Sequence, residues 1–591
     1  MTTDQIVLFS IFAVLLILFL WGRYRYDIVA FGGLLVGVVA GVIPAEDAFS
    51  GFGHPATVIV ALVLIASAGI TRSGGVQLIT RRLVSSSRGT ARHIAVLGGV
   101  GAIMSGFMNN IAALALLMPV DMQTARKAKR AVGRTLMPLS FATILGGMLT
   151  LIGTPPNILV ASFRQESLGE PFRMFDFAPV GLVITVAGIV FIATIGWRLI
   201  PIRSSDGQMA NALIDDYVAE LVVPEESELI GRQIYDLEPD AERSDLAILT
   251  LRREDGSTRY GPVRNATLEA GDVLVVEASP EALNEFRSIT KLDYPKNRSQ
   301  TEAKITGDGM NLVEVVIPAD SRIVGKTAQA LGLGWRHHTI LMGISREGRT
   351  IRDRVRRTVI FPGDILLLLV PEETQGDVVQ WLGGLPLAGG TSVTNERHVW
   401  WGLGLFAAAI VAVSFSLMTM PVALGFVIIG YVLQRILTLQ NLYNHVDWPV
   451  IVLLGSMIPL GLALDQTGGS ALIASGLLVL TQGWPAWVSL LLLMVVTMFL
   501  SDVLNNNATT ILAAPVGIRV AEQLGVSPDP FLMAVAVSAS CAFLTPIGHQ
   551  NNTVILGPGR YRFSDYWRMG LPLEAIVLAV GLPAILIFWP L

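Results

Sequence analysis

VTMFLSDVLNNNATTILAAPV, residues 496–516, places Ser501, Asp502, Asn505, Asn506, Asn507, Thr509 and Thr510 between two apolar runs. A polar side chain in hydrocarbon costs about 2 kcal/mol or more unless something satisfies it. The surrounding chain has the composition of a membrane protein: of its 591 residues 52% are hydrophobic and 15% charged, whereas soluble proteins carry roughly 25% charged residues. The polar stretch therefore has a task. The net charge of −4 implies no polyanionic partner, and nucleic acid is not one. A single cysteine, Cys541, excludes an internal disulfide framework and a clustered thiolate metal site, and reads as a small packing residue. The first apolar run, from Ile6, has no basic flank and no small-residue cleavage site, so it reads as a retained helix.

Apolar runs of spanning length, about 17 residues or more, lie near 5–21, 28–44, 56–71, 136–163 and 177–197, and again near 399–418, 421–435, 447–464, 529–556 and 571–590. Arg23 and Arg25 follow the first span, and Arg72, Arg81, Arg82, Arg88 and Arg92 the third, while the loop between them (PAEDAFSGFGHP) has no Lys or Arg. Basic loops are cytoplasmic, so the amino terminus is expected outside. Residues 93–120 are two short apolar halves broken at Asn109 and Asn110 and flanked by basic residues on both sides, which predicts a re-entrant hairpin. The second half starts inside and runs in the opposite sense. Its loop after residue 464 has no Lys or Arg and is expected outside, and Arg560, Arg562 and Arg568 precede the last span, which puts the carboxyl terminus outside too.

The two halves also align. SGFMNNIAALALLMP from Ser105 matches SDVLNNNATTILAAP from Ser501 without a gap, pairing Ser105 with Ser501, Asn109 with Asn505, Asn110 with Asn506 and Pro119 with Pro515. LTLIGTPPNI from Leu149 matches LTPIGHQNNT from Leu544, pairing Gly153 with Gly548 and Asn157 with Asn552, and Gly74 and Gly75 pair with Gly468 and Gly469. Three matches in one order predict an inverted-topology repeat, whose interrupted helices place ligand sites near the midplane. Gly153-Thr154-Pro155-Pro156-Asn157 cannot stay a regular helix, because proline lacks a donor and restricts the residue before it. Unwinding frees carbonyls for a cation, and a half-helix amino terminus offers N–H groups and partial positive charge to an anion. Asparagines at the tips supply acceptors and donors. Asp502 reads either as a cap of a half-helix or as a coupling group. His549 reads as an anion ligand, a titrating group or a satisfied interfacial residue.

These residues resemble the divalent anion:sodium symporter family of the ion transporter superfamily, on the strength of both hairpin tips and the IGTPPN and TPIGHQNN breaks. The family's tips read Ser-Asn-Thr; here they are Asn109-Asn110-Ile111 and Asn505-Asn506-Asn507, with the central asparagine kept and the tip serines replaced. The resemblance implies sodium contacts from Ser105, Asn109, Asn110, Gly153, Ser501, Asn505, Asn506 and Gly548. It implies substrate contacts from Asn109, Asn110, Thr154, Asn505, Asn506, Asn507 and Thr509, with His549 beside them. Ile111 and the tip asparagines depart from the dicarboxylate pattern, and members carrying a cytoplasmic insert resemble the sulfate branch, which makes sulfate the first choice among dianions; the second tip, with Asn507 and Thr509, is expected to bind more of it. The resemblance further implies an elevator motion, a homodimer and a bacterial inner membrane location.

The resulting expectation is a polytopic α-helical membrane protein with two re-entrant hairpins, two broken helices and two small α+β cytoplasmic modules inserted between the halves. Half 1 spans 1–200, with its hairpin near 93–123 and broken helix near 136–163; half 2 spans 398–591, with its hairpin near 486–520 and broken helix near 529–556. In the insert, AELVVPEESELIG from Ala219 matches VEVVIPADSRIVG from Val313, and EAGDVLVV from Glu269 matches FPGDILLL from Phe361. Alternating apolar residues and GD turns predict modules at 207–295 and 300–392. They resemble TrkA-C modules, the C-terminal part of RCK regulatory domains. Such modules imply either a small regulatory ligand or dimerisation without one. Proton coupling through Asp502 or His549 is the alternative to sodium, and a dicarboxylate or another sulfur oxyanion the alternative to sulfate. A potassium transporter is disfavoured by the absence of a TVGYG-like filter, and an enzyme by the absence of a nucleophile-base constellation.

Overall fold

Proline, glycine and the polar tips set where helices start and stop. The computed structural model describes residues 1–591 apart from 22, 74–88, 129, 202–217, 245, 254–257, 260–264, 278–279, 295–309, 319–320, 334–338, 347–348, 352–354, 372–373 and 388–395. Gly74, Gly75, Arg81, Arg82 and Arg88, which the repeat and charge arguments used, lie outside the described residues. The chain divides into two units, 1–203 with 389–591, and 204–388.

In the first unit the amino-terminal helices are α1 (Thr3–Trp21), α2 (Tyr26–Val39), α3 (Pro55–Ser73), α4 (Thr90–Ser105), α5 (Asn110–Lys127), α6 (Gly133–Gly147), α7 (Pro155–Leu168) and α8 (Ala178–Thr194). The carboxyl-terminal ones are α9 (Glu396–Ser414), α10 (Met420–Leu433), α11 (Trp448–Gln466), α12 (Gly469–Leu480), α13 (Ala486–Val503), α14 (Asn506–Leu524), α15 (Asp529–Ser540), α16 (Gln550–Leu556) and α17 (Tyr566–Phe588). Among the described residues, six helical segments are long and apolar enough to cross a membrane, at Thr3–Trp21, Ser50–Ser73, Ala178–Arg198, Trp448–Gln466, Ala486–Val503 and Phe563–Phe588.

Local chemistry explains the ends. Pro155 and Pro156 fill the first turn of α7, where their missing N–H groups cost nothing, and α7 stops at Gly169 with φ +83°. Asp447 caps α11 by accepting from Val450 N, and Asn505 and His549 do the same for α14 and α16. Residues 469–480, expected as part of an external loop, form the apolar helix α12 instead. At 12 residues it is too short to span and leaves no run of spanning length in the sequence.

The helix packing runs in matched pairs. In the first half α4 packs on α6 and α5 on α6; in the second α13 packs on α15 and α14 on α15. The arms then cross over. α7 packs on α14 and α15, and α16 on α5 and α6; likewise α2 packs on α11 and α10 on α3. Close backbone approaches repeat as well. A Cβ on Gly181 would lie 2.4 Å from the Met148 carbonyl oxygen, and one on Gly570 2.3 Å from the Phe543 carbonyl oxygen, so α8 and α17 each sit directly on an unwound stretch. Where the halves meet, the rings of Phe141 and Phe543 are 4.8 Å apart, both buried.

Among the described residues, the second unit holds two antiparallel sheets. The first comprises β1 (Val218–Val222), β2 (Ala247–Arg252), β3 (Thr258–Arg259) and β4 (Val273–Glu277), in the order β1-β4-β2-β3. The second comprises β5 (Met310–Val316), β6 (Ile340–Arg346), β7 (Arg349–Ile351), β8 (Ile365–Pro371) and β9 (Leu385–Pro386), in the order β7-β6-β8-β5-β9. The GD turns are built alike. Gly271 and Gly363 take positive φ, and Asp272 and Asp364 accept from the backbone N–H of Glu269 and Phe361, each at 2.8 Å. Each aspartate also pairs with an arginine of the neighbouring strand region, Arg253 at 3.0 Å and Arg346 at 2.8 Å. Each sheet has its own apolar core, one around Leu251, Leu274 and Phe286, the other around Val315, Leu366 and Leu382.

Candidate functional site

Both tips fold the same way. In the first, the helix stops at Ser105 and restarts at Asn110; in the second it stops at Val503 and restarts at Asn506. The Ser105 hydroxyl donates to Asn110 Oδ1 at 2.6 Å and the Ser501 hydroxyl to Asn506 Oδ1 at 2.9 Å. Asn109 Oδ1 accepts from Ile111 N at 3.2 Å and Asn505 Oδ1 from Asn507 N at 2.8 Å, so each first asparagine caps the helix that follows.

The unwound stretches match too. Thr150 donates to the Gly106 carbonyl and Thr545 to the Asp502 carbonyl, fastening each break to its own hairpin tip. Asn157 donates to the Thr150 carbonyl at 2.8 Å, and Asn552 to the Thr545 carbonyl at 3.1 Å. Four helices therefore begin at the tips and breaks: α5, α7, α14 and α16. Each presents a positive dipole end and first-turn N–H groups where no formal charge is needed to receive an anion.

The tips and breaks differ in what they add to this shared frame. Thr154, which precedes α7, is buried and caps nothing with its side chain. Its counterpart His549 takes the Asn551 N–H on Nδ1 at 3.1 Å and meets the Asn110 amide, Nδ2 to Nε2, at 3.3 Å. His549 thus joins the second half to the first half's tip. Gly147 makes room for this contact, since a Cβ there would lie 2.6 Å from Asn110 Oδ1.

Around the second tip, Asn507 and Thr509 are buried, and Thr509 Oγ1 has no hydrogen-bond partner among the described residues. Asp502 caps no half-helix of its own: its Oδ1 accepts the N–H of Leu544 in the unwound stretch at 2.9 Å. Its carboxyl is within hydrogen-bonding reach of Glu574 on α17, and Asp502 Oδ2 and Glu574 Oε1 both lack a donor among the described residues. Gly548 packs against this region, a Cβ there lying 3.0 Å from the Ser501 carbonyl oxygen, while Gly153 packs against the Gly147 carbonyl.

Several groups escaped the sequence reading. Asn157 and Asn552 were aligned with each other but given no role. Glu574 gave no signal, because it lies alone in an apolar helix far along the chain from Asp502. Asn551 was legible as a departure from the repeat, since the matching position holds Pro156. Its side chain donates to the Asn110 carbonyl at 3.3 Å and to Thr143 Oγ1 at 2.9 Å, and its own oxygen is buried without a partner among the described residues. An unpaired buried carbonyl costs about 1–3 kcal/mol.

This architecture has relatives. The citrate transporter family, CitMHS, matches residues 16–516 and 486–591. An uncharacterized transporter of Synechocystis sp. is 31% identical over 593 residues, covering 97% of this chain and 95% of that one. YfbS, an uncharacterized transporter of Escherichia coli, is 28% identical over 615 residues, covering 100% of both chains. Sodium/sulfate cotransporter 2 of Chlamydomonas reinhardtii is 26% identical over 351 residues, covering 55% of this chain and 38% of that one. With its apolar spans and matched helix breaks, this chain is an integral membrane transporter that belongs to the citrate transporter (CitMHS) family.

Proposed function

We propose that the protein is a secondary active transporter that moves a divalent anion, sulfate first, in symport with sodium. The observation that carries this reading is the matched pair of tips and breaks. Each half offers a serine hydroxyl, two tip asparagines, freed carbonyls and two helix amino termini, the donor and acceptor set of a cation site beside an anion site. Sodium takes neutral oxygens such as Ser105, Asn109, Asn110, Ser501, Asn505 and Asn506, with backbone oxygens near Gly153 and Gly548. The dianion takes the N–H and hydroxyl donors, with Thr154, Asn507, Thr509 and His549 around it. Likeness to a sodium/sulfate cotransporter supports sulfate over other oxyanions.

The crossed packing of α7 on α14 and of α16 on α5 supports an inverted-topology repeat with two re-entrant hairpins. In that arrangement both termini lie outside, the insert is cytoplasmic, and α4–α7 with α13–α16 form the part that moves against a dimeric scaffold in an elevator motion. The two antiparallel sheets act as TrkA-C-like regulatory modules in a bacterial inner membrane protein.

The test is uptake of radiolabelled sulfate into proteoliposomes at fixed pH, with and without sodium, in competition with thiosulfate, molybdate, phosphate, succinate and citrate. Sulfate uptake that rises with a sodium gradient and is displaced best by unlabelled sulfate is expected. Uptake indifferent to sodium removes the coupling, and citrate uptake without sulfate uptake removes the substrate.

A further inference from the structure

The carboxyl-terminal broken helix sends one fully buried side chain, Asn551, into the first half's tip. Its NH2 group faces the Asn110 backbone carbonyl at 3.3 Å and Thr143 Oγ1 at 2.9 Å. The Thr143 hydroxyl spends its own hydrogen on the Ser140 carbonyl at 2.7 Å, so toward Asn551 it is an acceptor. Both neighbours demand a donor. The amide cannot be turned over without setting oxygen against oxygen, and its Oδ1 is thereby fixed in place. That oxygen is buried and has no hydrogen-bond partner among the described residues. The first half has Pro156 at the matching position and can offer the second tip nothing equivalent.

We propose that Asn551 Oδ1 is a ligand of a sodium ion held at the first hairpin tip, so that this cation site is built by both halves of the chain. The inference rests on the reading of that tip as a sodium site and adds to it a ligand from the opposite half. A carbonyl oxygen whose amide hydrogens are engaged elsewhere is a hard, neutral donor suited to a monovalent cation. The cation supplies the partner that no N–H or O–H provides. Occupancy then depends on α16 being docked against α5 and α6, and sodium in turn stabilises that docking by linkage. The second tip, without such an oxygen, binds its cation from one half alone, which makes the two sites unequal.

The test uses the purified full-length chain, with thermal melting followed by tryptophan fluorescence as sodium chloride replaces choline chloride at constant ionic strength, without added oxyanion. Wild type is expected to melt higher as sodium rises. Asn551→Ala is expected to raise the half-saturating sodium concentration about tenfold or more. Asn551→Asp keeps an oxygen at the position but loses both amide hydrogens, and is expected to hold a sodium response at least as tight as wild type. An unchanged half-saturating concentration in Asn551→Ala, even with a lower melting point, would show that only the amide hydrogens matter and overturn the proposal. Asn551→Asp as insensitive to sodium as Asn551→Ala would overturn it too, and this variant decides alone where the alanine protein does not fold. A wild type with no sodium response overturns both this proposal and the sodium-coupled function; a responsive wild type with an unaltered Asn551→Ala overturns this proposal only.

Discussion

Asn157 and Asn552 close the same loop in the two halves. Asn157 Nδ2 reaches the Gly147 and Thr150 carbonyls at 3.5 and 2.8 Å, and Asn552 Nδ2 reaches the Ala542 and Thr545 carbonyls at 2.9 and 3.1 Å. Each amide thus ties the start of the second arm of a broken helix to carbonyls of the stretch before it, which otherwise have no donor from the helix ladder. Asn157→Ala or Asn552→Ala is expected to lower stability by about 1–3 kcal/mol. Melting in detergent checks this, and a change below 0.5 kcal/mol in both, an order-of-magnitude threshold for a surface substitution, would show that water replaces the amide.

Asn110 and Asn506 stand where tip and helix amino terminus coincide. Asn110→Ala and Asn506→Ala are each expected to abolish uptake in proteoliposomes while leaving folded protein by size-exclusion chromatography. Near-normal uptake by both would take the proposed sites away from the tips.

Gly147 lies under the Asn110 amide, with room for no methyl group at 2.6 Å from its Oδ1. Gly147→Ala is expected to push the tip away and weaken apparent substrate affinity at least about tenfold, about 1.4 kcal/mol. Gly404→Ala on α9, where a Cβ meets nothing within 4 Å, is the control and should transport normally. Equal affinities for the two variants would show that the tip tolerates displacement.

Arg164 on α7 binds Asp529 at the start of α15 through two bonds, at 2.8 and 3.0 Å, and joins the broken helices of the two halves. A double-mutant cycle with Arg164→Ala and Asp529→Ala is expected to give a coupling of about 1 kcal/mol, because the pair is bidentate and mostly shielded from water. A coupling indistinguishable from zero would make it an ornament of the surface.

Replacing residues 207–392 with a short flexible linker is expected to leave residual uptake with altered regulation. The separate apolar cores of the two sheets make this excision feasible. Complete loss of uptake in correctly inserted protein would make the insert part of the transport machinery.

The sequence by itself determined the hydrophobic spans, the polar tips and the breaks, because each depends on neighbours along the chain. Ser105 and Asn110, or Ser501 and Asn506, are five residues apart and meet whenever a helix stops between them. Prolines 155 and 156 end one helix and begin another wherever they stand. The tertiary structure alone decided which half completes which tip. His549 and Asn551 face Asn110, and Glu574 faces Asp502, through helices that share no periodicity and no short spacing. The repeat made the two tips alike. The crossing of their arms, fixed by close packing between distant segments, made them different: Asn551 occupies the place of Pro156 and donates to the Asn110 carbonyl of the first tip, as a proline side chain cannot.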